Sequence, residues 1–440
     1  MTAERAIAVV GAVVRSLEEM MEESGSIPAP PADEREGNGQ GSRRRRPRRR
    51  RGRRGNAPAN GATSEAVTTN VEGYLYCRDD GKSFLTPPLR NFRLGPEDPQ
   101  LDPSLVGRLH LESGLLVSGT ATSANGRPRP TLTDIAAIEG LAPEEYRHRA
   151  VPFAELVSID PLERFRLETD PAVLEPRVIE LMTPIGRGQR CLIVAPPKAG
   201  KTTLLQQLAH AIAVNHPETT IFVLLVDERP EEVTDWRRNI VKGEVFASSS
   251  DESVQSHIEV SEMVLERARR LVELGQDVIV FMDSLTRMSR AYNNAQKSSG
   301  RIMSGGIDAR TMEKPRRFFG SARNIENGGS LTIVATCLVD TGSRMDEVIF
   351  QEFKGTGNME IVLTRELFDR RIFPCMHIPQ SGTRKEEKLY SRAEVDKIFL
   401  LRRALAALSP HEAMQLLLSK LKQFRTNGEF LASIQAANGR

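Results

Sequence analysis

No apolar run in this 440-residue chain reaches the roughly 18 residues that a membrane-spanning helix requires. The N-terminal stretch AIAVVGAVV (6–14) is short, is followed by Arg15 and two glutamates, and has no small-residue cleavage site. No signal peptide and no membrane partner are therefore expected. Cysteine is scarce too. Cys77, Cys191, Cys337 and Cys375 have neither metal-ligand nor redox spacing. They read as ordinary buried thiols in a reducing compartment, which points to the cytoplasm. Aromatic residues make up only 5% of the chain while charged residues make up 27%, the balance of a soluble protein with ample core.

A large net charge is lacking too, since 61 basic and 58 acidic side chains leave only +3, but the distribution is lopsided. The tract RRRRPRRRRGRR (43–54) alone contributes +10, which leaves −7 on the rest of the chain. Its flanks are rich in Pro, Gly, Asn and Ala and cannot build a core, so residues 24–70 are expected to be disordered. Such a tract binds nucleic-acid phosphates through counterion release; a solubilising tail or an acidic protein partner are the alternatives. Upstream, Ile7, Val10, Val14, Leu17 and Met21 repeat at helical steps and predict one short amphipathic helix over residues 1–23.

What the chain does have is a phosphate cradle. The spacing Ala195-Pro-Pro-Lys-Ala-Gly-Lys-Thr202 fits the phosphate-binding loop, with Ala195 where Gly is commoner. Gly200 permits the tight turn that aims backbone N–H groups at phosphate. Lys201 supplies a point charge, and the Thr202 hydroxyl is a Mg²⁺ ligand in this motif. The flanks agree: QRCLIVA (189–195) reads as a buried strand and TTLLQQLAHAIAV as a helix whose positive end meets the same spot. DVIVFMDSLTR (277–287) is an apolar strand ending in Asp283, suited to holding Mg²⁺. TIFVLLVDERPEE (220–232) ends in Asp227 and Glu228, either of which orients the attacking water or merely caps the helix starting near Pro230. Strands alternating with helices predict a mostly parallel sheet with helices on both faces, a P-loop ATPase using ATP and Mg²⁺.

Before that module, VEGYLYCRDDGKSFL and GLLVSGTATSANGRPRPTLTDIAAIEG read as short strands broken by Gly, Asn and Pro turns, a small β-barrel. Tyr74 and Tyr76 share one strand face and Arg78 continues it. Paired rings beside a cation suit base stacking on single-stranded nucleic acid. Barrel core or an interface is the alternative.

Taken together, PIGRGQRCLIVAPPKAGKT, DERPEEVTDW, VKGEV, DSLTRMSRAYN, RRFFGSARN, DTGSRMDEVI, QEFKGTGNME and SGTRKEE resemble the bacterial transcription termination factor Rho family from about residue 176 to near 400. The barrel is matched more loosely, through GYLY and PSLVGRLHL. The resemblance implies a RecA-like P-loop ATPase domain over 179–440. Ahead of it would come a connector (141–178), an OB-fold barrel (71–140) and the Arg-rich arm. It implies a homo-hexameric, RNA-dependent ATPase and helicase acting on single-stranded RNA near the RNA polymerase elongation complex. Pro197, Lys198, Ala199, Gly200, Lys201, Thr202 and Thr203 would cradle the nucleotide, with Arg229 beside them and Phe373 stacked on adenine. Glu228 would activate water and Asp283 would support Mg²⁺. Arg384 would be the arginine finger reaching a neighbouring subunit, and Arg371 a second cation at that interface. RNA would meet Tyr74, Tyr76, Arg78 and Arg108 on the barrel. In the pore it would meet Arg301, Ser304 and Gly305 of one loop (298–309) and Arg344 of a second (340–347).

Some features depart from that pattern. The family's usual N-terminal helical module is not recognisable, Tyr replaces the commoner Phe in GYLY, and the aromatics that complete the base pockets are absent. Base selectivity at the barrel is therefore open. Two other readings exist: a ring motor acting on DNA, and a non-catalytic ring that uses ATP only to assemble. A 2′-hydroxyl-bearing competitor separates the first; the presence of Glu228 and Arg384 counts against the second.

Overall fold

A computed structural model describes residues 67–123, 129–295, 306–307 and 310–434. The expected amphipathic helix (1–23), the Arg tract (43–54) and the expected RNA contacts Arg301, Ser304 and Gly305 lie outside them.

The barrel is closed and five-stranded, with neighbours in the order β1-β2-β3-β5-β4. Its strands are β1 (Val67–Cys77), β2 (Ser83–Thr86), β3 (Gln100–Leu101), β4 (Leu116–Ser123) and β5 (Thr131–Ile138). Alternate side chains enter its core: Leu75, Leu85, Leu101, Val117, Ala121, Leu132 and Ile138 pack together there. Closure removes the edges that short strands would otherwise expose, the OB-type solution for a small barrel.

After the barrel come β6 (Ser158–Ile159), β7 (Arg190–Ala195), β8 (Thr220–Glu228), β9 (Glu244–Ser249) and β10 (Asp277–Asp283). They are followed by β11 (Arg323–Ile325), β12 (Ser330–Leu338), β13 (Met359–Val362) and β14 (Gly382–Thr383). They form one sheet in the order β14-β13-β7-β12-β10-β8-β9, with β11 and β6 added beside β12. β13 through β9 run parallel, while β14 and β11 pair antiparallel. Both faces are buried, so the strands read as continuous apolar runs rather than alternating ones. Cys191, Ile193 and Ala195 of β7 face one core with the helix Lys201–Asn215, and the C-terminal helices Arg392–Ala406 and Pro410–Leu421 close it. Leu192 and Val194 face the other, against the helices Val254–Glu273 and Leu285–Ala295.

The barrel docks on that second layer. Tyr74 packs on Phe92 at 5.1 Å between centroids, and Phe92 stacks on Phe246 at 4.8 Å. Arg267 pairs with Glu139, and Arg270 with Glu112. Gly114 (φ +90°) makes the approach possible, since a Cβ there would lie 2.5 Å from the Arg267 backbone nitrogen.

Candidate active site

Parallel strands leave a crevice at their carboxyl ends where the chain order reverses. Here β12 and β10 lie between β7 and β8, so the ends of β7, β10 and β8 converge. After Ala195 the chain turns through Lys198 (φ +64°) and Gly200 (φ +81°) into the helix Lys201–Asn215. Open space surrounds Gly200, so the backbone angle and not crowding selects glycine there. No side chain of the described residues caps that helix, which leaves its first N–H groups for an anion.

Lys201 Nζ donates to Asp283 Oδ2 at 2.6 Å and lies 3.6 Å from Glu228 Oε1. Thr202 Oγ1 is 3.4 Å from the same Asp283 oxygen. The other Asp283 oxygen accepts from Thr336 Oγ1 at 2.8 Å, so neighbouring β12 fixes the carboxylate's orientation. Glu228 owes its position to a bulge. The β8–β9 register steps from Val226↔Ser248 to Glu228↔Ser249, and Asp227 (φ +56°) absorbs the extra residue. Asp227 consequently faces outward, 38% exposed, and Glu228 inward, 1% exposed. No side chain among the described residues caps the helix Pro230–Asn239, whose cap position is Arg229, so the capping alternative fails. Arg287 donates from Nη2 to Glu228 Oε2 at 3.2 Å and from Nη1 to the Asp227 carbonyl.

Burial and the nearby Asp283 charge push the Glu228 carboxyl up to about 7, against the pull of Lys201 and Arg287. Burial alone would lower Lys201; the Asp283 and Glu228 carboxylates outweigh it and hold the ammonium above its ordinary value. The second Glu228 oxygen, Oε1, is buried with no hydrogen-bond partner among the described residues. With the Lys201 ammonium near it at 3.6 Å but no hydrogen bond, it can accept one from a polar guest such as a water.

Beside the loop, a cavity of about 250 Å³ is lined by Ala199, Gly200, Thr203, Gln207, Phe368 and Phe373. Phe373 is 38% exposed and meets Phe368 edge-on at 5.8 Å. The Arg371 guanidinium lies 5.4 Å over the ring of Phe368, one of the residues lining this cavity. Pro197, Lys198 and Arg229 are exposed around the loop.

Arg384 is elsewhere. It follows β14, whose partner β13 runs parallel to β7, and its N–H donates to the Asn358 carbonyl at 2.9 Å. That is the amino end of β7, whereas the phosphate loop leaves the carboxyl end; six residues of strand span about 17 Å. Arg384 does not converge on its own chain's loop.

The barrel residues require a correction. Tyr74 and Tyr76 do share an outward face of β1, but that face is docked on the ATPase layer. Tyr74 is 4% exposed, its hydroxyl donates to Glu244 at 2.9 Å, and Arg267 sits 5.0 Å over its ring. No ring face remains for a base, so the interface alternative holds for Tyr74. Tyr76 is half-buried against Met263, Tyr292 and Phe318. Arg78 lies past the end of β1 and pairs with Asp80 at 3.5 Å. Arg108 is exposed on the helix Pro103–Leu109. Arg344 is exposed at the start of the helix Arg344–Lys354, in a turn tied down by Asp346, which accepts from Arg290 Nε at 2.9 Å.

Sequence reasoning passed over Arg287, Thr336 and Asn358. Arg287 was findable, since it stands one helical turn beyond Asp283 in DSLTR. Thr336 and Asn358 are joined to the site only by strand pairing, which leaves no local signal.

The fold and this site define a P-loop ATPase. Residues 176–383 match the nucleotide-binding domain of the ATP synthase alpha/beta family, and the chain binds ATP there. The fold resembles a prototypical ATPase from the type III secretion system of pathogenic bacteria. That likeness has a TM-score of 0.52 at 19% identity and covers 70% of this chain and 91% of that one. Over 374 residues the chain is 48% identical to transcription termination factor Rho of Cereibacter sphaeroides, covering 84% of this chain and 88% of that one. It is 49% identical over 369 residues to the Rho of Aquifex aeolicus, covering 83% and 85%. The chain belongs to the transcription termination factor Rho family and is an ATP-dependent transcription termination factor.

Proposed function

We propose that the chain works as a homo-hexameric ring that hydrolyses ATP when single-stranded RNA occupies its pore, and so pulls a transcript away from the RNA polymerase elongation complex. One observation carries this reading. Arg384 and the phosphate loop lie at opposite ends of β7, so a site holding both cradle and finger needs two copies of the chain. Repetition of that head-to-tail contact closes a ring. The cytoplasm, where transcripts are made, is the compartment this role requires; no helix among the described residues is long and apolar enough to cross a membrane.

Within one site, the open N–H groups after Gly200 and the Lys201 ammonium hold the phosphates. Phe373, with Ala199 and Thr203, faces the base. Mg²⁺ fits the donors present: a Thr202 hydroxyl beside an Asp283 carboxylate is the hard-oxygen set that ion takes with nucleotide phosphates. No cluster of three or more His, Cys, Asp or Glu side chains among the described residues forms an all-protein cage, which this ion does not need. When bound, it neutralises charge on the phosphates. Glu228, whose Oε1 has no hydrogen-bond partner among the described residues, accepts a proton from the attacking water, and Arg287 holds it in place. Arg384 of the next copy stabilises charge developing on the transferred phosphoryl group. Arg371, over the Phe368 ring, holds that ring against Phe373. On the RNA side, Arg344 and the loop bearing Arg301, Ser304 and Gly305 grip the backbone in the pore. Arg78, Tyr76 and Arg108 remain as barrel contacts.

The test is ATP hydrolysis with no nucleic acid, with single-stranded RNA and with DNA of the same sequence. Strong stimulation by RNA is expected, and little by duplex. Equal rates in all arms would overturn the translocase reading.

A further inference from the structure

Among the described residues, Asn358 receives the backbone N–H of Arg384, accepting it on its carbonyl at 2.9 Å. The Asn358 side chain points the other way: Oδ1 accepts from the Arg190 N–H at 2.8 Å and from Gln189 Nε2 at 2.7 Å. Asn358 thus clamps the residue that begins β7 to the residue that follows β14. The Arg190 guanidinium is itself anchored, Nε donating to the Thr356 carbonyl at 2.9 Å and Nη1 to the Ala322 carbonyl at 3.0 Å.

Those partners are neutral, and Arg190 has no carboxylate ion-pair partner among the described residues. A half-buried cation bonded only to carbonyls keeps much of its field. Burial lowers the affinity of Arg190 for its proton, and the nearby Arg384 charge lowers it further. Two carbonyls hold the Arg190 head in place, whereas the Arg384 side chain is exposed.

We propose that Asn358 is a positioning residue for Arg384: it fixes the backbone of that residue to the start of β7, where Arg190 is itself anchored on two carbonyls, and so sets where the exposed guanidinium is offered to the nucleotide of a second copy of this chain. The inference rests on the reading of Arg384 as a finger acting between copies. It adds that β7 carries the mount of an outgoing finger at one end and the chain's own phosphate loop at the other.

The experiment uses the full-length assembled protein with saturating RNA. A finger displaced by about 1 Å loses roughly 10²-fold in rate, so Asn358→Ala is expected to lower kcat by about 10- to 100-fold. The KM for ATP should stay within about twofold, because ground-state contacts are untouched. In an Arg384→Ala background the same substitution should add less than about twofold, since no finger is left to position. Arg190→Ala removes the two carbonyl anchors at the start of β7, and its loss of kcat should likewise shrink to less than about twofold in the Arg384→Ala background. Asn358→Asp retains the acceptor for the Arg190 N–H and Gln189 Nε2 and should hold kcat within about threefold of the parent; Gln189→Ala removes one donor of the clamp, should lower kcat with the KM for ATP unchanged, and serves if the alanine variant does not fold. Losses that multiply with Arg384→Ala, or a raised KM for ATP, would overturn the positioning role and make Asn358 a support of its own loop. Unimpaired turnover in Arg384→Ala alone would instead overturn the finger reading.

Discussion

Glu228 shows how much one buried carboxylate decides. Its pKa of about 7 comes from burial and from Asp283, only partly offset by Lys201 and Arg287. The proposed role of Glu228 as base requires it to be ionised, so kcat/KM is expected to fall about tenfold per pH unit below pH 7, measured with saturating RNA. The stability effect has the opposite sense. Since the folded value lies above the ordinary 4.5, the folded chain keeps a proton that the unfolded chain releases between those two pH values. Stability therefore declines as pH rises across that window. Glu228→Gln removes the ionisation, so its Tm should exceed the parent's at about pH 8 and converge with it toward about pH 5. Thermal melts at the two pH values check this. A gap of the same size at both would mean that Glu228 does not titrate in that window.

At the level of elements, a half-turn of register separates function from packing. The bulge at Asp227 sends Glu228 to the phosphate loop; without it the inward carboxylate would be Asp227, one methylene shorter. In β1 the alternation places Leu75 in the barrel core and Tyr74 against the ATPase layer. Tyr74 is thus a structural ring. Tyr74→Ala is expected to cost about 3–5 kcal/mol in urea unfolding, the range for a large aromatic removed from a core. Arg108→Ala should leave that midpoint unchanged and weaken RNA binding, measured by titration with a labelled single strand. A Tyr74→Ala variant as stable as the parent would return the ring to the RNA-facing set.

At the scale of the whole molecule, the proposed finger requires a partner copy. Arg384 lies at the far end of β7 from its own phosphate loop, so on that proposal Arg384→Ala should bind ATP and RNA nearly normally yet turn over roughly 10³–10⁵-fold more slowly. Lys201→Ala should lose nucleotide affinity instead, because it touches ground-state phosphates as well. Mixing the two inactive variants pairs some intact loops with some intact fingers, and weak hydrolysis should reappear in mixed rings. No recovery at any ratio means a finger acting within one chain or a ring that stalls at its first dead site. Titrating Arg384→Ala into the parent separates these, since independent sites lose activity in proportion and coupled ones much faster.

The sequence by itself determined the cradle, because every requirement of that motif is local. Gly200 supplies a left-handed turn, Lys201 and Thr202 follow it on the first helical turn, and apolar runs of strand length sit on either side. Asp283 and Glu228 were legible for the same reason, as carboxylates ending buried strands. The tertiary structure alone decided which side of a strand counts and which ends of strands meet. Period-two alternation says that Tyr74 and Tyr76 share a face but not that the ATPase layer covers it. Strand order, which no local pattern encodes, puts Thr336 behind Asp283 and Asn358 beneath Arg384. It also puts Arg384 at the far end of β7 from its own phosphate loop. Interactions within a few residues are written in composition and spacing; those between strands distant in sequence exist only once hydrophobic burial has chosen the order of the sheet.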